Sequence, residues 1–387
     1  MPDAIDTGST LRSPVLGGRE MPESLMVRGS RIQIMERDAD LTERERAVVN
    51  AFQGGFPVVE QPFDVAAEAM TERGVEITGG ELLEIVTDLD ERGVLTRFGA
   101  LINSQEIGGM ATLVAMHAPE ERFDEVVEIV NDKLEVSQNY EREHPHLNVW
   151  FVVSVAEKDR VEEVLAEIED ESGQPTYNLP KQREFTVEAL FPVDGPLEAG
   201  IDLSDLGPDV TPTDRTTLTP AERDLVLEIQ DGYPPTETPY ADVAEAIDRD
   251  VEWVLETIKR FDLEEKVRRI GVIPNHYALG YTENAMTVWN VPDDVIPEVG
   301  PVVAELPFVT HCYERPRHEG VWPYSVFAMT HGRTEEESDR RVEQVRELMN
   351  EYWDVGEDDW DTLLSTQILK KTGIRLAERA EANTEER

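Results

Sequence analysis

The segment best equipped for chemistry runs from residue 308 to 332, FVTHCYERPRHEGVWPYSVFAMTHG. It contains three histidines, the only cysteine, two arginines, two tyrosines and a tryptophan. Residues 308–313 and 323–330 each have the pattern of a short strand, with a turn between them. This hairpin would bring His311, Tyr313 and Arg315 close to Tyr324 and His331. Imidazoles beside guanidinium groups suit proton transfer to a ligand rich in carboxylates.

The charge of the whole chain is strongly negative. Its 387 residues carry 36 basic and 82 acidic side chains, a formal net charge of −46. An acidic disordered protein and a folded, salt-adapted protein both fit this balance. The hydrophobic content of 40% and the periodic segments favour a folded chain, long enough for two or more domains. We therefore expect a salt-adapted cytoplasmic protein, because salt screens the repulsion between surface carboxylates.

Several functional classes are disfavoured by composition. The negative field opposes nucleic acids, which bind proteins mainly through neutralised phosphates. The single cysteine, Cys312, excludes an intramolecular disulfide and a site with several cysteine ligands. The chain shows no apolar run of membrane-span length and no apolar signal core. These features predict a soluble intracellular protein.

The chain contains an internal duplication. The word LTERERAVVNAFQGGFP at 41–57 returns as LTPAERDLVLEIQDGYP at 218–234. RFGALINSQEIGG at 97–109 returns as RIGVIPNHYALGY at 269–281, and SQNYERE at 137–143 returns as THCYERP at 310–316. Short words repeated in the same order at nearly constant spacing indicate two copies of one module.

Each copy predicts the same α+β fold. Three short helices and a strand pair or wing form a winged helix-turn-helix, and a ferredoxin-like βαββαβ domain follows. The fourth strand of the first ferredoxin-like domain is expected at 185–190. The predicted divisions are a disordered N-terminal segment (1–40), winged helix 1 (41–104), ferredoxin-like domain 1 (105–192), a linker (193–217), winged helix 2 (218–280), ferredoxin-like domain 2 (281–372) and a charged tail (373–387).

This order of domains resembles the Lrp/AsnC regulators, in which the first domain binds DNA. A helix that enters the major groove needs basic or amide side chains. The expected recognition helix of copy two has a mixed charge. That of copy one has a single arginine, Arg92, against five carboxylates: Glu81, Glu84, Asp88, Asp90 and Glu91. This test therefore argues against DNA binding, and the winged helices are predicted to have a structural or docking role.

A more specific resemblance comes from a set of short motifs. They are NHYALGY at 275–281, WNVP at 289–292, HCYERP at 311–316, WPYSVFAMTHG at 322–332, and NYERE at 139–143 with LNVWFVV at 147–153. Together they resemble the siroheme decarboxylases, an Lrp/AsnC-like family, over residues 41–192 and 218–372. That family usually pairs two homologous subunits, so the resemblance implies a pseudo-dimer within one chain. Whether the chain also forms a homodimer stays open.

The resemblance implies a reaction and a substrate. The family removes the carboxyl groups of the C12 and C18 acetate side chains of siroheme, giving 12,18-didecarboxysiroheme and CO2. This step belongs to an alternative route to haem, or to haem d1. It needs no cofactor beyond the iron of the substrate, because the macrocycle itself accepts electrons. The competing functions are an Lrp/AsnC-type regulator that senses haem or an amino acid, and a tetrapyrrole carrier without catalysis.

The resemblance also suggests roles for individual residues. His311, His331 and His276 are the predicted catalytic residues, and His276 or His311 is a candidate axial ligand to the substrate iron. No separate metal site is expected. The predicted substrate-binding residues are Arg315, Tyr313, Tyr324, Trp322, Arg269, Arg97, Arg142, His146 and Trp289.

Simpler structural roles compete with these assignments. Histidines on strands can be hydrogen-bonded sheet residues, and the equivalent Arg142 and Arg315 can form structural ion pairs. Strand aromatics are usually core residues, which is the role predicted for Trp150 and Phe327. Cys312 alternates with its neighbours and is expected on the opposite, buried face of the sheet. Ser325 stands where the family usually has asparagine.

Overall fold

The computed structural model describes residues 40–155, 158–194, 207–213, 215 and 217–371, with only the backbone of Lys371. The predicted N-terminal segment, except residue 40, and the charged tail lie outside these residues, as does much of the linker. No helix in the described ranges has the length and apolar character needed to cross a membrane.

Copy one begins with a helix-turn-helix. Its elements are α1 (Glu43–Phe52), α2 (Pro62–Glu72), α3 (Gly79–Glu91) and β1 (Leu95–Ile102). A βαββαβ domain follows, with β2 (Met110–Met116), α4 (Phe123–Asp132), β3 (Val136–Arg142), β4 (Val149–Val155), α5 (Arg160–Ser172) and β5 (Thr176–Leu179). An additional strand, β6 (Arg183–Val187), comes after this domain.

Copy two repeats this order. Its helix-turn-helix comprises α6 (Pro220–Ile229), α7 (Pro239–Ala246), α8 (Val251–Leu263) and β7 (Val267–Pro274). Its second domain comprises β8 (Glu283–Trp289), α9 (Ile296–Ala304), β9 (Val309–Glu314), β10 (Val326–Gly332), α10 (Glu335–Asn350) and β11 (Trp360–Lys371). The predicted α+β fold, with two tandem copies, is confirmed.

The repeated word LTxxE marks the first helix of each copy. The Thr42 hydroxyl accepts a hydrogen bond from the Glu45 amide, and the Glu45 carboxylate accepts one from the Thr42 amide. Thr219 and Glu222 form the same capping box at the start of α6. Such reciprocal bonds satisfy amides that have no partner in the first turn, so they fix where each helix begins.

The two helix-turn-helix units form one body through an antiparallel pair of β1 and β7. The predicted local strand pair or wing is therefore wrong for copy one, because β1 has its partner in the other copy. Gly99 lies opposite Gly271 at the centre of this pair. A Cβ atom on Gly99 would lie 2.7 Å from the Cα of Gly232, and one on Gly271 would lie 2.2 Å from the carbonyl oxygen of Phe52. The backbone of Gly232 lies close to β1 and that of Phe52 lies close to β7, so both copies of the repeated word RxG require glycine at the third position.

The two ferredoxin-like sheets are joined through β3 and β11 into one sheet of nine strands, in the order β5-β2-β4-β3-β11-β8-β10-β9-β6. The first half of β11 pairs with β8 of its own copy, and the second half pairs with β3 of copy one. In the same way β5 pairs with β2, while β6 crosses over and pairs with β9 of copy two. The predicted fourth strand at 185–190 is therefore wrong. That role belongs to β5, and the free edge of β9 recruits β6.

The parts of this sheet that belong to the two ferredoxin-like domains face each other, and the helices cover their outer faces. Along β10, Val326 and Ala328 pack in the helix-side core, whereas Phe327 and Met329 point between the sheets. This alternation is the period of two expected for a strand that is buried on both faces. The predicted core positions of Trp150 and Phe327 are confirmed, because both side chains pack in the layer between the sheets.

Candidate active site

The three predicted catalytic histidines lie close together, beside the start of β9 and the end of β10. The ring centroids of His276 and His331 are 5.2 Å apart. The hydroxyl oxygen of Thr310 lies 2.9 Å from Nδ1 of His311 and 2.9 Å from Nε2 of His331. The structure therefore brings His276, His311 and His331 into one cluster, and Thr310 links two of them directly.

A β-bulge makes this link possible. The register between β9 and β10 pairs Met329 with His311 and then Thr330 with Val309, which leaves Thr310 as the extra residue. Adjacent side chains on a regular strand point to opposite faces, but a bulge redirects one of them. Cys312, two residues after Thr310, is fully buried on the helix side, as predicted.

The amide of Asn284 orients His331 from the neighbouring strand. Its Oδ1 lies 2.5 Å from Nδ1 of His331, and its Nδ2 donates a hydrogen bond of 2.9 Å to the hydroxyl of Tyr277. Since Nδ2 is the donor to Tyr277, the oxygen faces the imidazole and accepts from it. Nδ1 of His331 therefore carries a hydrogen.

A phenyl ring from copy one covers the histidines. Phe191 stacks on His276 with centroids 5.1 Å apart, and meets the ring of His331 edge-on at 5.1 Å. Gln53 of the helix-turn-helix holds this residue by donating to its carbonyl and accepting from its amide, at 3.0 and 2.7 Å. The cluster is thus enclosed by elements of both copies.

Cationic side chains surround His311. Glu184 binds Lys181 and Arg268 in ion pairs of 2.6 and 2.7 Å, and Arg269 is also close enough to act on the imidazole. Burial, followed by the charge of Arg268, lowers the pKa of His311 to about 4, and Glu184 opposes this shift. The imidazole is therefore neutral at neutral pH.

Two buried arginines occupy equivalent positions in the copies. Nη1 of Arg315 donates to the carbonyl of Leu179, and Nη1 of Arg142 donates to the carbonyl of Leu363. Arg315 and Arg142 are 8% and 7% exposed, and burial lowers the pKa of each to about 10. Neither forms an ion pair with a carboxylate in the described part of the chain, where both Nε atoms also lack a hydrogen-bond partner. The structural ion pair considered for them is absent from these residues.

This arrangement favours an anionic ligand. A buried guanidinium without a counterion is costly, and its removal from water is offset only by an ion or by many hydrogen bonds. The guanidinium of Arg315 lies over the ring of Tyr313, 4.9 Å from the centroid, and the ring of His311 is 6.0 Å from that ring. Burial raises the pKa of Tyr313, which keeps its hydroxyl protonated and able to donate. Arg315 and Tyr313 thus extend the histidine cluster as predicted.

Two predicted aromatic residues lie farther along the layer between the sheets. Trp322 is fully buried and contacts Trp150, Tyr324 and His144 at centroid distances of 5.0, 4.9 and 5.6 Å. Burial raises the pKa of the half-buried Tyr324. Together with Phe327, these rings pack in the layer between the sheets.

Three predicted substrate-binding residues lie elsewhere. Trp289 packs in the helix-side core and stacks on Trp360 at 5.4 Å, because its strand position has the opposite parity to the inward-facing residues. Arg97 donates to the carbonyl of Gln230 within the helix-turn-helix pair. His146 is exposed on the turn before β4. Arg269, in contrast, is part of the site and donates to the carbonyl of Ala189 at 2.8 Å.

The sequence interpretation missed several residues of the site. Thr310 was visible as a counterpart of Ser137 in the repeated word, and Tyr277 lies inside the motif NHYALGY. Lys181 is one of seven lysines in the chain. Asn284 and Phe191 carried no signal, because only strand pairing and the crossover of copy one bring them to the histidines.

Copy one retains the scaffold without the imidazoles. Its strands β3 and β4 have the same register shift, and Ser137 is the extra residue. The hydroxyl of Ser137 lies 3.3 Å from that of Ser154. The copy-one counterparts are Ser137 for Thr310, Gln138 for His311, Ser154 for His331 and Ser104 for His276. In the described residues, no group of three or more His, Cys, Asp or Glu side chains is arranged to hold a metal ion.

Models of two known domain families match this chain. The AsnC-like ligand binding domain matches residues 106–186 and 278–370. The siroheme decarboxylase NirDL-like HTH domain matches residues 45–95 and 222–268. The tandem fold and these matches define a protein of the AsnC-like class in which both domains occur twice.

Individual relatives show which family within this class the chain belongs to. The siroheme decarboxylase NirDL subunit of Paracoccus pantotrophus is 30% identical over 302 residues, which are 78% of this chain and 88% of that subunit. A crystal structure of the siroheme decarboxylase NirDL aligns with a TM-score of 0.66 at 27% identity, covering 89% of this chain and 98% of the other. A crystal structure of NirDL in complex with an iron-uroporphyrin III analogue gives a TM-score of 0.63 at 26% identity, over 88% and 97% of the chains. This chain therefore belongs to the siroheme decarboxylase NirDL-like family.

Proposed function

We propose that this chain is a carboxy-lyase that removes the C12 and C18 acetate carboxyl groups of siroheme, giving 12,18-didecarboxysiroheme and two CO2. The observation that carries the proposal is the cluster of three histidines beside buried arginines that have no carboxylate partner among the described residues. In a chain of net charge −46, such a cationic cluster is matched to a polyanion. Membership of the siroheme decarboxylase family identifies that polyanion as siroheme, which carries eight carboxylates.

The arginines and tyrosines hold the carboxylates of the substrate. Arg315 and Arg142 each have guanidinium hydrogens left for a bidentate bond, and Tyr313 offers a hydroxyl. Lys181, Arg268 and Arg269 add positive charge at the side of His311. Removing the departing carboxylate from water favours its loss as neutral CO2.

The histidines supply the protons. A proton on a pyrrole carbon turns the ring into an electron acceptor, and the bond between the acetate methylene and its carboxylate then breaks. The electron pair enters the ring, CO2 leaves, and a histidine N–H donates a proton to the methylene carbon as the ring carbon returns its own. Each cycle thus consumes one proton and leaves a methyl group. His311 is the proposed donor, because it lies between the cations and His331.

The iron enters as part of the substrate, and the proposal requires no resident cofactor. Because Phe191 covers His276 and His331, a macrocycle reaches these rings only when the segment carrying Phe191 moves aside. Gln53 bonds to this segment, so the helix-turn-helix of copy one would hold Phe191 in place over the two histidines.

The direct test is the mass of the pigment after anaerobic incubation of siroheme with the purified protein. We expect a loss of two carboxyl groups, with an intermediate that has lost one. A transcription regulator or a carrier would leave the mass of the pigment unchanged, and that result would refute the proposal.

Binding of the polycarboxylate should also cause the pair of His311 and His331 to take up a proton. In the protein alone the pKa of His311 is about 4, so its imidazole is neutral above that pH. Carboxylates beside the pair favour an imidazolium, so proton uptake is expected on binding. Titration calorimetry with iron-uroporphyrin III at about pH 5.5, in two buffers of different ionisation enthalpy, measures this uptake. The double variant His311→Gln, His331→Ser, which carries the residues of copy one, should take up fewer protons, by up to one, and an equal uptake would contradict the assignment.

A further inference from the structure

The hydrogen-bond order around Thr310 is fixed by its neighbours. Nδ1 of His331 donates to Asn284, so Nε2 of a neutral His331 has no hydrogen and must accept. The Thr310 hydroxyl lies 2.9 Å from this nitrogen and can donate to it. This hydroxyl also lies 3.5 Å from the carbonyl of Met329, a contact too long to compete for its single hydrogen.

This order sets the state of His311. Because the hydroxyl of Thr310 donates to His331, its oxygen accepts from Nδ1 of His311, 2.9 Å away. A neutral His311 therefore carries its hydrogen on Nδ1 and has a bare Nε2. Protonation of His331 reverses the order: both of its nitrogens then donate, the hydroxyl turns to donate to Nδ1 of His311, and Nε2 of His311 carries the hydrogen.

We propose that Thr310 is a positioning residue that couples His331 to His311, so that a proton given up by His311 to the substrate is replaced from His331. The inference rests on the proposed decarboxylation. In this step His311 transfers the Nε2 proton to the methylene carbon, the Thr310 hydroxyl proton moves to Nδ1 of His311, and the Nε2 proton of His331 moves to the Thr310 oxygen. The step removes the positive charge of the imidazolium and the negative charge of the departing carboxylate. One carbon–hydrogen bond forms as one carbon–carbon bond breaks, so atoms and charge balance.

The surroundings suit this division of roles. His311 faces Lys181, Arg268 and Arg269, and burial and these cations outweigh the opposing carboxylate of Glu184, so a charge is disfavoured there in the protein alone. His331 faces Asn284, Thr310, Phe191 and His276, and Asn284 accepts a hydrogen bond that stabilises its cation. The backbone of His331 also accepts from Arg341. The proton is thus stored on His331 and delivered by His311.

The matching pair in copy one offers a control. Ser137 occupies the same bulge position as Thr310, and its hydroxyl lies next to that of Ser154, where no imidazole is present. A hydroxyl that served only the bulge would be equally important in both copies. A relay predicts an effect in copy two alone.

The kinetic test uses Thr310→Val, Thr310→Ser and Ser137→Ala in the full chain. Thr310→Val keeps the shape of the side chain and should lower kcat by about 10- to 100-fold, less than the roughly 100- to 10,000-fold effect of losing the general acid itself, because His311 is still present. The apparent Kd for iron-uroporphyrin III should stay within about twofold. The remaining activity should rise towards lower pH, because His311 must then take its proton directly from water. Thr310→Ser should restore most of the turnover, and Ser137→Ala should match the unsubstituted protein.

A second readout does not depend on turnover. In the protein alone, nitrogen-15 correlation spectra should show both His311 and His331 with hydrogen on Nδ1, and the chain has only seven histidines to assign. Thr310→Val should disturb the tautomer of His311, whereas Ser137→Ala should not. The relay is refuted if His311 carries hydrogen on Nε2, or if Thr310→Val retains the kcat and pH profile of the unsubstituted protein. If the unsubstituted protein leaves siroheme unaltered, the decarboxylation fails as a function and the relay with it, while the tautomers still decide whether Thr310 orders the two rings.

Discussion

The His311→Gln variant is expected to decarboxylate siroheme about 100- to 10,000-fold more slowly, the usual effect of losing a general acid. Glutamine is the residue that copy one has at this position, Gln138, so the bulged strand tolerates it. The amide can still accept from or donate to Thr310, but it cannot deliver a proton. Single-turnover conversion of siroheme measures the rate, and the spectrum of bound iron-uroporphyrin III measures binding.

The matched control for this variant is Gln138→Ala in copy one. Gln138 accepts a hydrogen bond of 3.0 Å from Tyr140 and belongs to the copy that has serine at the positions matching His276 and His331, so we expect little change in rate. Retention of full turnover in His311→Gln would show that His311 is a sheet residue without a part in proton transfer. Loss of turnover together with loss of pigment binding would place its effect on binding instead.

The Arg315→Met variant should be more stable than the unsubstituted protein but should bind the pigment less tightly. A buried guanidinium without a carboxylate partner in the described residues destabilises the folded chain, so an apolar side chain of similar length should raise the free energy of unfolding by about 1–3 kcal/mol. The lost bond to the carbonyl of Leu179 offsets about 1 kcal/mol of this gain. Affinity for iron-uroporphyrin III should fall by about 10- to 100-fold, the cost of leaving a carboxylate unpaired.

Arg317, two residues along the chain, provides the contrast. It forms an ion pair of 2.6 Å with Asp293 and donates to the hydroxyl of Ser325 at 2.9 Å. Arg317→Met should therefore destabilise the fold and leave pigment affinity nearly unchanged. Urea unfolding and spectroscopic titration measure both quantities. If Arg315→Met destabilised the chain and bound pigment normally, Arg315 would be a structural residue.

The fusion of two copies explains why one site can be specialised. Each copy lends its crossing strand to the other, through β6 on β9 and β11 on β3. Copy one contributes Phe191, Lys181 and Glu184 to a site whose histidines all belong to copy two. Once joined in one chain, the copies no longer need identical surfaces. Copy one could therefore lose its imidazoles and keep the supporting geometry.

The acidic composition is explained only in part by the structure, whereas the helix-turn-helix pair bears directly on the regulator alternative. The capping glutamates show how part of the negative charge is used, at the starts of α1, α3 and α6. Adaptation to high salt stays a prediction from composition. The regulator alternative has less support than decarboxylation, because the matched helix-turn-helix model is itself that of the siroheme decarboxylases.

Much of this architecture was determined by the sequence alone. Duplication was visible because repeated words such as LTxxE and YER mark positions that each copy needs for a helix cap and a buried arginine. Strand alternation placed Cys312 on the buried face opposite its neighbours, and Phe327 was predicted to be a core residue. Proximity of His311 and His331 followed from a hairpin, since its two strands are adjacent in the chain.

Tertiary structure decided the rest, because the deciding contacts join residues far apart in the chain. The crossover of β6, which made the predicted fourth strand wrong, depends on the free edge of β9 and not on local propensity. Trp289 was assigned to the pocket by its residue type, but its strand parity and the ring of Trp360 place it under the helices. Thr310 gained its role from a bulge, which inserts one residue and turns a side chain without leaving a pattern in the sequence. The pairing of distant strands, and the hydrogen bonds it permits, therefore determined which of the predicted residues meet.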